Sequence, residues 1–258
     1  MLNVLKKAAR AGGEELKKRF GTVLTKTAKT RESDFATEAD HASEAVILNI
    51  IKAELPHVSV YSEETGLIHN ASPYTIYVDP LDGTHNFFHG IPTFTVSIAL
   101  THEGKTIAGV VYHPLFDALY VGELGKGSYR NTLRLHVNDI PQLSRATVAL
   151  CCAVDTPRNI IVGITEALFA DDGVERYLWQ WSPAYDLCLL AQGKVAGFIA
   201  YEVTTPYDLP AGKLIAEEAG ARVTRFGSFG EDFMGTFVIS NPYVHEALVE
   251  KVRHLMHT

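Results

Sequence analysis

The sequence predicts a mixed α and β protein built from two unequal halves, and three observations support this. The chain has 258 residues, of which 47% are hydrophobic and 21% charged, so it can bury a sizeable core. In its first part, two helical patterns precede a rapid succession of strand-like runs, which is typical of an antiparallel sheet. After about Leu143, strands alternate with helices, which favours a mixed or parallel sheet with crossover helices. We therefore predict an N-terminal α+β half at residues 1–143 and a smaller α/β half at 144–258.

Two helices are predicted near the N-terminus. Apolar residues recur with helical spacing over residues 3–20 and again from about Thr37 to Leu55, where Pro56 ends the pattern. Short apolar runs bounded by Gly, Pro, Asp or Asn then predict strands. These runs cover residues 58–61, 74–78, 93–100, 106–112, 118–121 and 133–137.

The second half has the alternation expected of β-α units. Predicted strands lie at residues 147–150, 176–180 and 196–201, and predicted helices at 159–169, 183–192, 210–219 and 242–254. Trp179 and Trp181 alternate with Gln180 and Ser182, which predicts that they lie on a half-buried strand.

Composition excludes several classes of protein. The net charge of −7 argues against binding to a nucleic-acid duplex, which requires a basic surface. Three cysteines, two of them adjacent (Cys151 and Cys152), cannot form a disulfide framework, so we expect a cytoplasmic protein. The run 86–101 lacks charge, but it is shorter than the about 20 apolar residues needed to span a membrane. No membrane segment is predicted.

The most informative motif carries two carboxylates, and it reads Asp79-Pro-Leu-Asp-Gly-Thr-His-Asn-Phe87. Asp followed by Pro predicts a β-turn, which would bring Asp79, Asp82 and the carbonyl of Leu81 to one side. Such hard oxygen ligands suit Mg²⁺, and the next backbone amides, at Gly83 and Thr84, could hold an anion. Metal ligands beside an anion site are what phosphate-ester hydrolysis requires, although a solvated turn is the simpler alternative.

Three further acidic segments have ordinary explanations when they are taken alone. Glu63 and Glu64 follow a predicted strand and could belong to an acidic loop. Thr37 and Asp40 have the spacing of a capping box at the start of the second helix. Asp208 stands where the N-cap of the helix at 210–219 belongs.

Taken together, the four segments resemble the inositol monophosphatase family of Mg²⁺-dependent, lithium-sensitive phosphatases. The matching segments are Asp34-Phe-Ala-Thr-Glu-Ala-Asp40, Ser62-Glu-Glu64, Asp79–Phe87 and Tyr207-Asp-Leu-Pro-Ala-Gly212, the last followed by Glu218-Ala-Gly-Ala221. The resemblance covers nearly the whole chain. It implies a layered α-β-α-β-α sandwich of the sugar-phosphatase type, in which both halves form one catalytic unit, and a homodimer.

The resemblance also implies a role for each matching residue. The metal ligands would be Glu63, Asp79, the carbonyl of Leu81, Asp82 and Asp208, which would hold two or three Mg²⁺ ions. Asp40, Glu63 and Thr84 would be the catalytic residues and would act on the attacking water. Substrate would contact Leu81, Gly83, Thr84, His85, Ser182, Glu202 and Asp208.

Some residues depart from the family pattern and leave the substrate open. Tyr207 replaces the usual Trp, and Trp181-Ser-Pro183 stands where many members have Gly-Thr-Ala. The sequence predicts a Mg²⁺-dependent phosphomonoesterase that acts on a small polyol or sugar phosphate, with inositol 1-phosphate as the leading candidate. The same fold would also suit a 3'(2'),5'-bisphosphate nucleotidase, a fructose-1,6-bisphosphatase or a histidinol-phosphate phosphatase.

Two alternatives from other classes remain. A phosphatase with an Asp nucleophile requires Asp-x-Asp, whereas this chain has Asp79 and Asp82 separated by two residues. A regulatory binding protein that kept the fold but lost activity is the non-enzymatic alternative, although all the predicted metal ligands are present.

Overall fold

A computed structural model describes residues 1–23, 25–31, 34–153, 155–227 and 233–253. The helices in these ranges are α1 (Leu2–Arg19), α2 (Glu38–Glu54), α3 (Thr84–Phe88), α4 (Arg158–Phe169), α5 (Pro183–Ala191), α6 (Pro210–Glu218) and α7 (His245–Arg253). The strands of the first half are β1 (Lys26–Arg31), β2 (Asp34–Thr37), β3 (Ser59–Ser62), β4 (Gly66–Ile68), β5 (Tyr74–Asp82), β6 (Thr95–His102), β7 (Lys105–His113), β8 (Ala118–Glu123), β9 (Gly127–Arg130) and β10 (Leu133–Arg134). Those of the second half are β11 (Thr147–Cys152), β12 (Arg176–Leu178), β13 (Gly197–Val203), β14 (Arg222–Phe226) and β15 (Gly235–Ser240).

The elements form five layers, α-β-α-β-α, as the resemblance implies. Helices α1 and α2 cover one face of an eight-stranded sheet of order β10-β9-β8-β7-β6-β5-β3-β4, in which only β3 and β5 are parallel neighbours among the described strands. Helices α5 and α6 lie between this sheet and a five-stranded sheet of order β12-β11-β13-β15-β14. Helices α4 and α7 cover the outer face of the second sheet. The predicted fold class is confirmed.

Both faces of the large sheet are buried, and the alternation of side chains along each strand divides them between two cores. On β7, Val110 and Tyr112 pack toward α1 and α2, whereas Val111 packs toward α5 and α6. Gly109 lies on the second face, where a Cβ atom would stand 2.6 Å from the carbonyl oxygen of Ala211. The absence of a side chain at Gly109 therefore lets α6 approach the sheet, and α6 follows directly after Asp208.

The structure departs from the sequence prediction at several element boundaries. The predicted strand at 133–137 ends at Arg134, because the chain leaves the sheet and the amide of Val137 donates to the carbonyl of Ala219 beyond α6. The predicted strand at 176–180 ends at Leu178, so the half-buried strand expected for Trp179 and Trp181 is wrong. The predicted final helix begins later, at His245, and its predicted last residue, His254, lies outside the described residues.

The proposed boundary between residues 143 and 144 falls between the two sheets, since the first ends at Arg134 and the second begins at Thr147. One core is shared by both halves, because α5 and α6 pack against the eight-stranded sheet. Among the described residues, no helix is both long enough and apolar enough to cross a membrane.

Candidate active site

The two acids of the central motif lie on a β-bulge and not on the predicted turn. Strand β5 continues through Asp79 to Asp82, while its antiparallel partner β6 advances only from Ser97 to Thr95. Three residue steps along β5 therefore pair with two along β6, and the extra residue on β5 forms the bulge. Pro80 is tolerated there because a bulge leaves a backbone position outside the ladder. The bulge places two carboxylates beside one backbone carbonyl, which is the arrangement that the turn was expected to produce.

Asp79 lies at the centre of a group of acids. Its side chain is buried, and burial is the main reason that its pKa lies well above the ordinary value. The negative charges of Glu63, Asp82 and Asp208 raise this pKa further, so these three carboxylates lie close to it. The fold therefore brings together acids from β5, from the loop after β3 and from the segment before α6.

Asp82 is held by donors from both halves of the chain. It accepts hydrogen bonds from the hydroxyls of Thr95, at 2.8 Å, and Ser182, and more distant contacts from the amides of Ala184 and Tyr185 in the first turn of α5. Burial raises the pKa of Asp82 to about 6, although these hydrogen bonds act in the opposite direction. The predicted substrate residue Ser182 is itself buried, and its hydroxyl holds Asp82 in this arrangement.

Gly83 ends the bulge in a conformation that suits glycine. Its φ is +90°, and a Cβ atom would stand 2.9 Å from the carbonyl oxygen of Thr93. The chain then enters the short helix α3, which begins at Thr84. This turn, rather than Asp79 to Asp82, changes the direction of the chain.

Thr84 and Asp40 form the predicted catalytic pair. The Thr84 hydroxyl lies 3.0 Å from Oδ1 of Asp40 and 3.1 Å from the carbonyl of Leu81. The other oxygen of Asp40 accepts from the amide and hydroxyl of Thr37, completing the predicted capping box of α2. Capping and contact with Thr84 are therefore not alternatives, because each uses a different oxygen of Asp40.

Some of the predicted site residues line a cleft of about 490 Å³ between the two halves. Glu63, Gly83, Thr84, His85, Ser182 and Asp208 line it. Glu202, a predicted substrate residue, instead lines an adjoining hollow of about 390 Å³ that shares Asp155 and Thr204 with the cleft. No Lys or Arg is among the described residues that line the cleft, so its acids require cations from solution before they can accept a phosphate.

The donor set fits Mg²⁺, which prefers carboxylate and carbonyl oxygens and keeps several waters. Glu63, Asp79, Asp82, Asp208 and the carbonyl of Leu81 would hold it. As they stand, no three His, Cys, Asp or Glu side chains of the described residues form a group that could hold a metal ion. Asp82 is engaged by Ser182 and Thr95, and Asp208 by the hydroxyl of Thr205, so ion binding would require these side chains to reorient.

Comparison with known proteins identifies the family. The family model described as "Inositol monophosphatase family" matches residues 1–257. The chain belongs to the inositol monophosphatase family. Its sequence is 35% identical to the Nus factor SuhB of Vibrio cholerae, over 98% of this chain and 96% of that one. It is also 35% identical to the fructose-1,6-bisphosphatase/inositol-1-monophosphatase of Aquifex aeolicus, over 99% and 96%. The crystal structure of the extragenic suppressor protein suhB from Bartonella henselae matches with a TM-score of 0.90, at 31% identity and over 97% of both chains.

Within this inositol monophosphatase fold, Asp208 is not a helix cap. Helix α6 has Leu209 at its N-cap position, and no side chain caps its first turn. Asp208 instead accepts from Thr205 and faces Asp79 closely enough to raise its pKa. The capping explanation for Asp208 is therefore wrong, and its proximity to the other acids supports the predicted function as a ligand.

Of the three cysteines, Cys188 is buried in the core, whereas Cys151 and Cys152 line the cleft. Burial raises the pKa of the Cys151 thiol well above its ordinary value and that of Cys152 to about 12. Both thiols are therefore protonated at neutral pH and are poor nucleophiles.

Glu44 was not among the residues predicted for the site, yet its carboxylate holds the loop that carries Glu63. The buried face of α2 presents Asp40, Ser43 and Glu44, at the i, i+3 and i+4 positions of one helical stripe. Ser43 donates to the carbonyl of Pro80 at 2.8 Å, which holds the bulge. Glu44 accepts from the hydroxyls of Ser62 and Thr65 and from the amides of Glu64 and Thr65. The sequence signal that could have identified Glu44 is a charged residue on the stripe of α2 that faces the core.

We expect Glu44→Ala to weaken Mg²⁺ binding by about 10- to 100-fold, the usual effect of removing a partner that orients a metal-binding loop. The reason is that Glu44 fixes the loop carrying Glu63 without contacting substrate. The measurement is the Mg²⁺ concentration giving half-maximal phosphatase activity, with Glu44→Gln expected to lie between Ala and wild type. Glu54→Ala, at the exposed end of the same helix, is the matched control. Equal Mg²⁺ dependence in Glu44→Ala and wild type would contradict this function of Glu44.

Proposed function

We propose that this protein is a Mg²⁺-dependent phosphomonoesterase that hydrolyses a small organic phosphate by direct attack of water. The observation that carries the proposal is the convergence of Glu63, Asp82 and Asp208 on Asp79, beside the Thr84–Asp40 pair. Of these residues, Glu63, Thr84 and Asp208 line one cleft. Membership of the inositol monophosphatase family supports the same activity. A small polyol or sugar phosphate, with inositol 1-phosphate first, is the substrate that the sequence resemblance implies.

Some residues of the chain would position the phosphate and the attacking water, and others would move a proton. The backbone amides of Gly83 and Thr84 would bind the phosphate oxygens. The Thr84 hydroxyl donates toward Asp40, which leaves its oxygen lone pairs to accept from the attacking water. Asp40 would thus orient Thr84, and it would accept the Thr84 proton as the Thr84 oxygen takes up the proton that the attacking water loses. When bound, Mg²⁺ would supply the charge that offsets the phosphate and acidifies water.

No covalent phosphoryl-enzyme is expected. Both cysteines lining the cleft have raised pKa values, and the two motif acids are spaced as Asp-x-x-Asp. The test is to quench the reaction with ³²P-labelled substrate during turnover and to look for label on the protein. Label at Asp79 would overturn the mechanism and support an Asp nucleophile.

The activity itself is tested by measuring phosphate release in Mg²⁺ from four esters, namely inositol 1-phosphate, fructose 1,6-bisphosphate, histidinol phosphate and adenosine 3',5'-bisphosphate. Release from at least one, lost when Asp79→Asn is introduced, is the expected result. Absence of release from all four would overturn the proposed function.

A regulatory function is the second candidate, because the relative from Vibrio cholerae is named a Nus factor. The complete set of acids favours the enzyme. The homodimer implied by the resemblance and the cytoplasmic location remain predictions, for which size measurement in solution and cell fractionation are the tests.

A further inference from the structure

One wall of the cleft is aromatic, and it lies directly beside the predicted phosphate position. The rings of Phe35 and His85 are 4.6 Å apart between centroids, those of His85 and Trp181 are 5.1 Å apart, and those of Trp181 and Trp179 are 6.1 Å apart. All four residues line the same cleft as Gly83 and Thr84. We refer to these four residues as the aromatic wall.

The two tryptophans are turned outward because Gln180, which lies between them in the sequence, is anchored to the protein by two hydrogen bonds. The side chain of Gln180 donates to Asp186 on α5, and its backbone carbonyl accepts from Nδ2 of Asn86 at 2.6 Å. Ser182, the next residue after Trp181, is tied to Asp82. Since Gln180 and Ser182 face the protein interior, Trp179 and Trp181 face the cleft.

The exposure and backbone of Trp181 are unusual for a structural residue. Its side chain is 48% exposed, and its φ is +56°, in the left-handed region that bulky residues rarely adopt. A residue stays in this conformation only where its surroundings fix it, and such residues concentrate at functional sites. Here the hydrogen bonds on both sides, at Gln180 and Ser182, fix it. The fold therefore maintains an exposed indole at a strained position beside the catalytic cleft.

We propose that the aromatic wall is a specificity site that binds a planar, unsaturated ring in the organic part of the substrate phosphate ester. An exposed pair of indoles with an imidazole and a phenyl ring offers stacking faces and edges to such a ring. A polyol such as inositol presents hydroxyls instead, which these rings do not satisfy. The inference rests on the proposed function, and it ranks esters with a planar ring ahead of inositol 1-phosphate.

Tryptophan fluorescence tests the wall without turnover, because Trp179 and Trp181 are the only two tryptophans of the chain. The probes are histidinol phosphate and adenosine 5'-monophosphate, which carry planar rings, and inositol 1-phosphate and glycerol 2-phosphate, which do not. Excitation at about 295 nm of the Asp40→Asn variant in Mg²⁺, which keeps all the predicted metal ligands and lacks the acid that assists the attacking water, should give saturable quenching by ring-bearing esters only. Equal changes with all four, or none with the ring-bearing esters, would overturn the proposal.

The matching variant is Trp181→Gly, because glycine accepts the positive φ and the substitution removes only the ring. Its melting temperature should equal or exceed that of wild type. The ratio of kcat/KM for a ring-bearing ester to that for inositol 1-phosphate should fall at least about tenfold, the scale of one lost stacking contact. Tyr243→Ala, which removes an exposed ring elsewhere, should leave the ratio unchanged.

These measurements separate failure of the wall from failure of the proposed function. Turnover of esters with no preference for a planar ring, or a ratio unchanged in Trp181→Gly, overturns the wall and leaves the phosphatase intact. Ring-dependent quenching without turnover of any ester overturns the phosphatase and leaves a ring-binding site.

Discussion

In excess chelator, the protein is expected to lose phosphatase activity by at least about a hundredfold and to regain it when Mg²⁺ is restored. The physical reason is that Glu63, Asp82 and Asp208 surround the buried Asp79, and no Lys or Arg is among the described residues lining the cleft. Without cations, this charge repels a phosphate ester; losing a charge contact in the transition state costs about 3 kcal/mol or more. Phosphate release with and without the chelator measures it.

The same acids predict how stability depends on pH in chelator. The pKa of Asp82 is about 6 in the folded protein against an ordinary 3.8, so the folded state holds a proton that the unfolded state has released between these values. The free energy of unfolding should therefore fall as pH rises from about 4 to about 6, by about 3 kcal/mol from Asp82, with Asp79 adding in the same direction.

Mg²⁺ should remove this decrease in the free energy of unfolding with rising pH, because it binds the ionised acids of the folded state. Urea unfolding at pH 4 and 6, with and without Mg²⁺, provides the measurement. Full turnover in excess chelator would contradict the metal-dependent mechanism. A stability that rises between pH 4 and 6 in chelator would contradict the crowding of the acids.

Asp208→Asn is expected to lower activity at least about a hundredfold while leaving the fold intact. Asparagine keeps an oxygen that can accept from Thr205, but it removes the charge predicted to bind the metal. Because the charge of Asp208 raises the pKa of Asp79, its removal relieves repulsion. The melting temperature in chelator should therefore be unchanged or higher, and the stabilisation by Mg²⁺ should be smaller than in wild type.

The control variants for Asp208 distinguish the loss of its charge from an effect on folding. Asp139→Asn removes one exposed carboxylate and should leave activity and Mg²⁺ stabilisation unchanged. Asp208→Ala should match Asp208→Asn in activity, since no helix cap is lost at Leu209. An Asn variant with wild-type turnover would exclude Asp208 as a ligand and weaken the assignment of the other three acids.

The sequence predicted that Asp79 and Asp82 lie close together, but it did not predict the backbone conformation that places them there. Asp and Pro at the start of the motif favoured a turn. Local residue preferences contain no information about pairing with a distant strand. In the structure, pairing with β6 keeps β5 extended and absorbs the extra residue as a bulge between Asp79 and Asp82. Likewise, alternation at Trp179 and Trp181 predicted a strand, but Gln180 accepts a hydrogen bond from Asn86 and donates one to Asp186, and these contacts remove the segment from the sheet.

By itself, the sequence determined the mixed α and β class through its apolar periodicity and the family through the order of its motifs, and the resemblance to that family implied the five-layer fold and the set of acids. Only the tertiary structure decided that Asp208 faces Asp79 and not a helix end, that Glu44 holds the loop of Glu63, and that two tryptophans line the cleft. Each of these depends on contacts between residues distant in sequence. The contact of Asp208 with Asp79 and the cleft itself arise when both halves pack together, and the Glu44 contacts arise when α2 packs on the large sheet, so local pattern alone does not contain them.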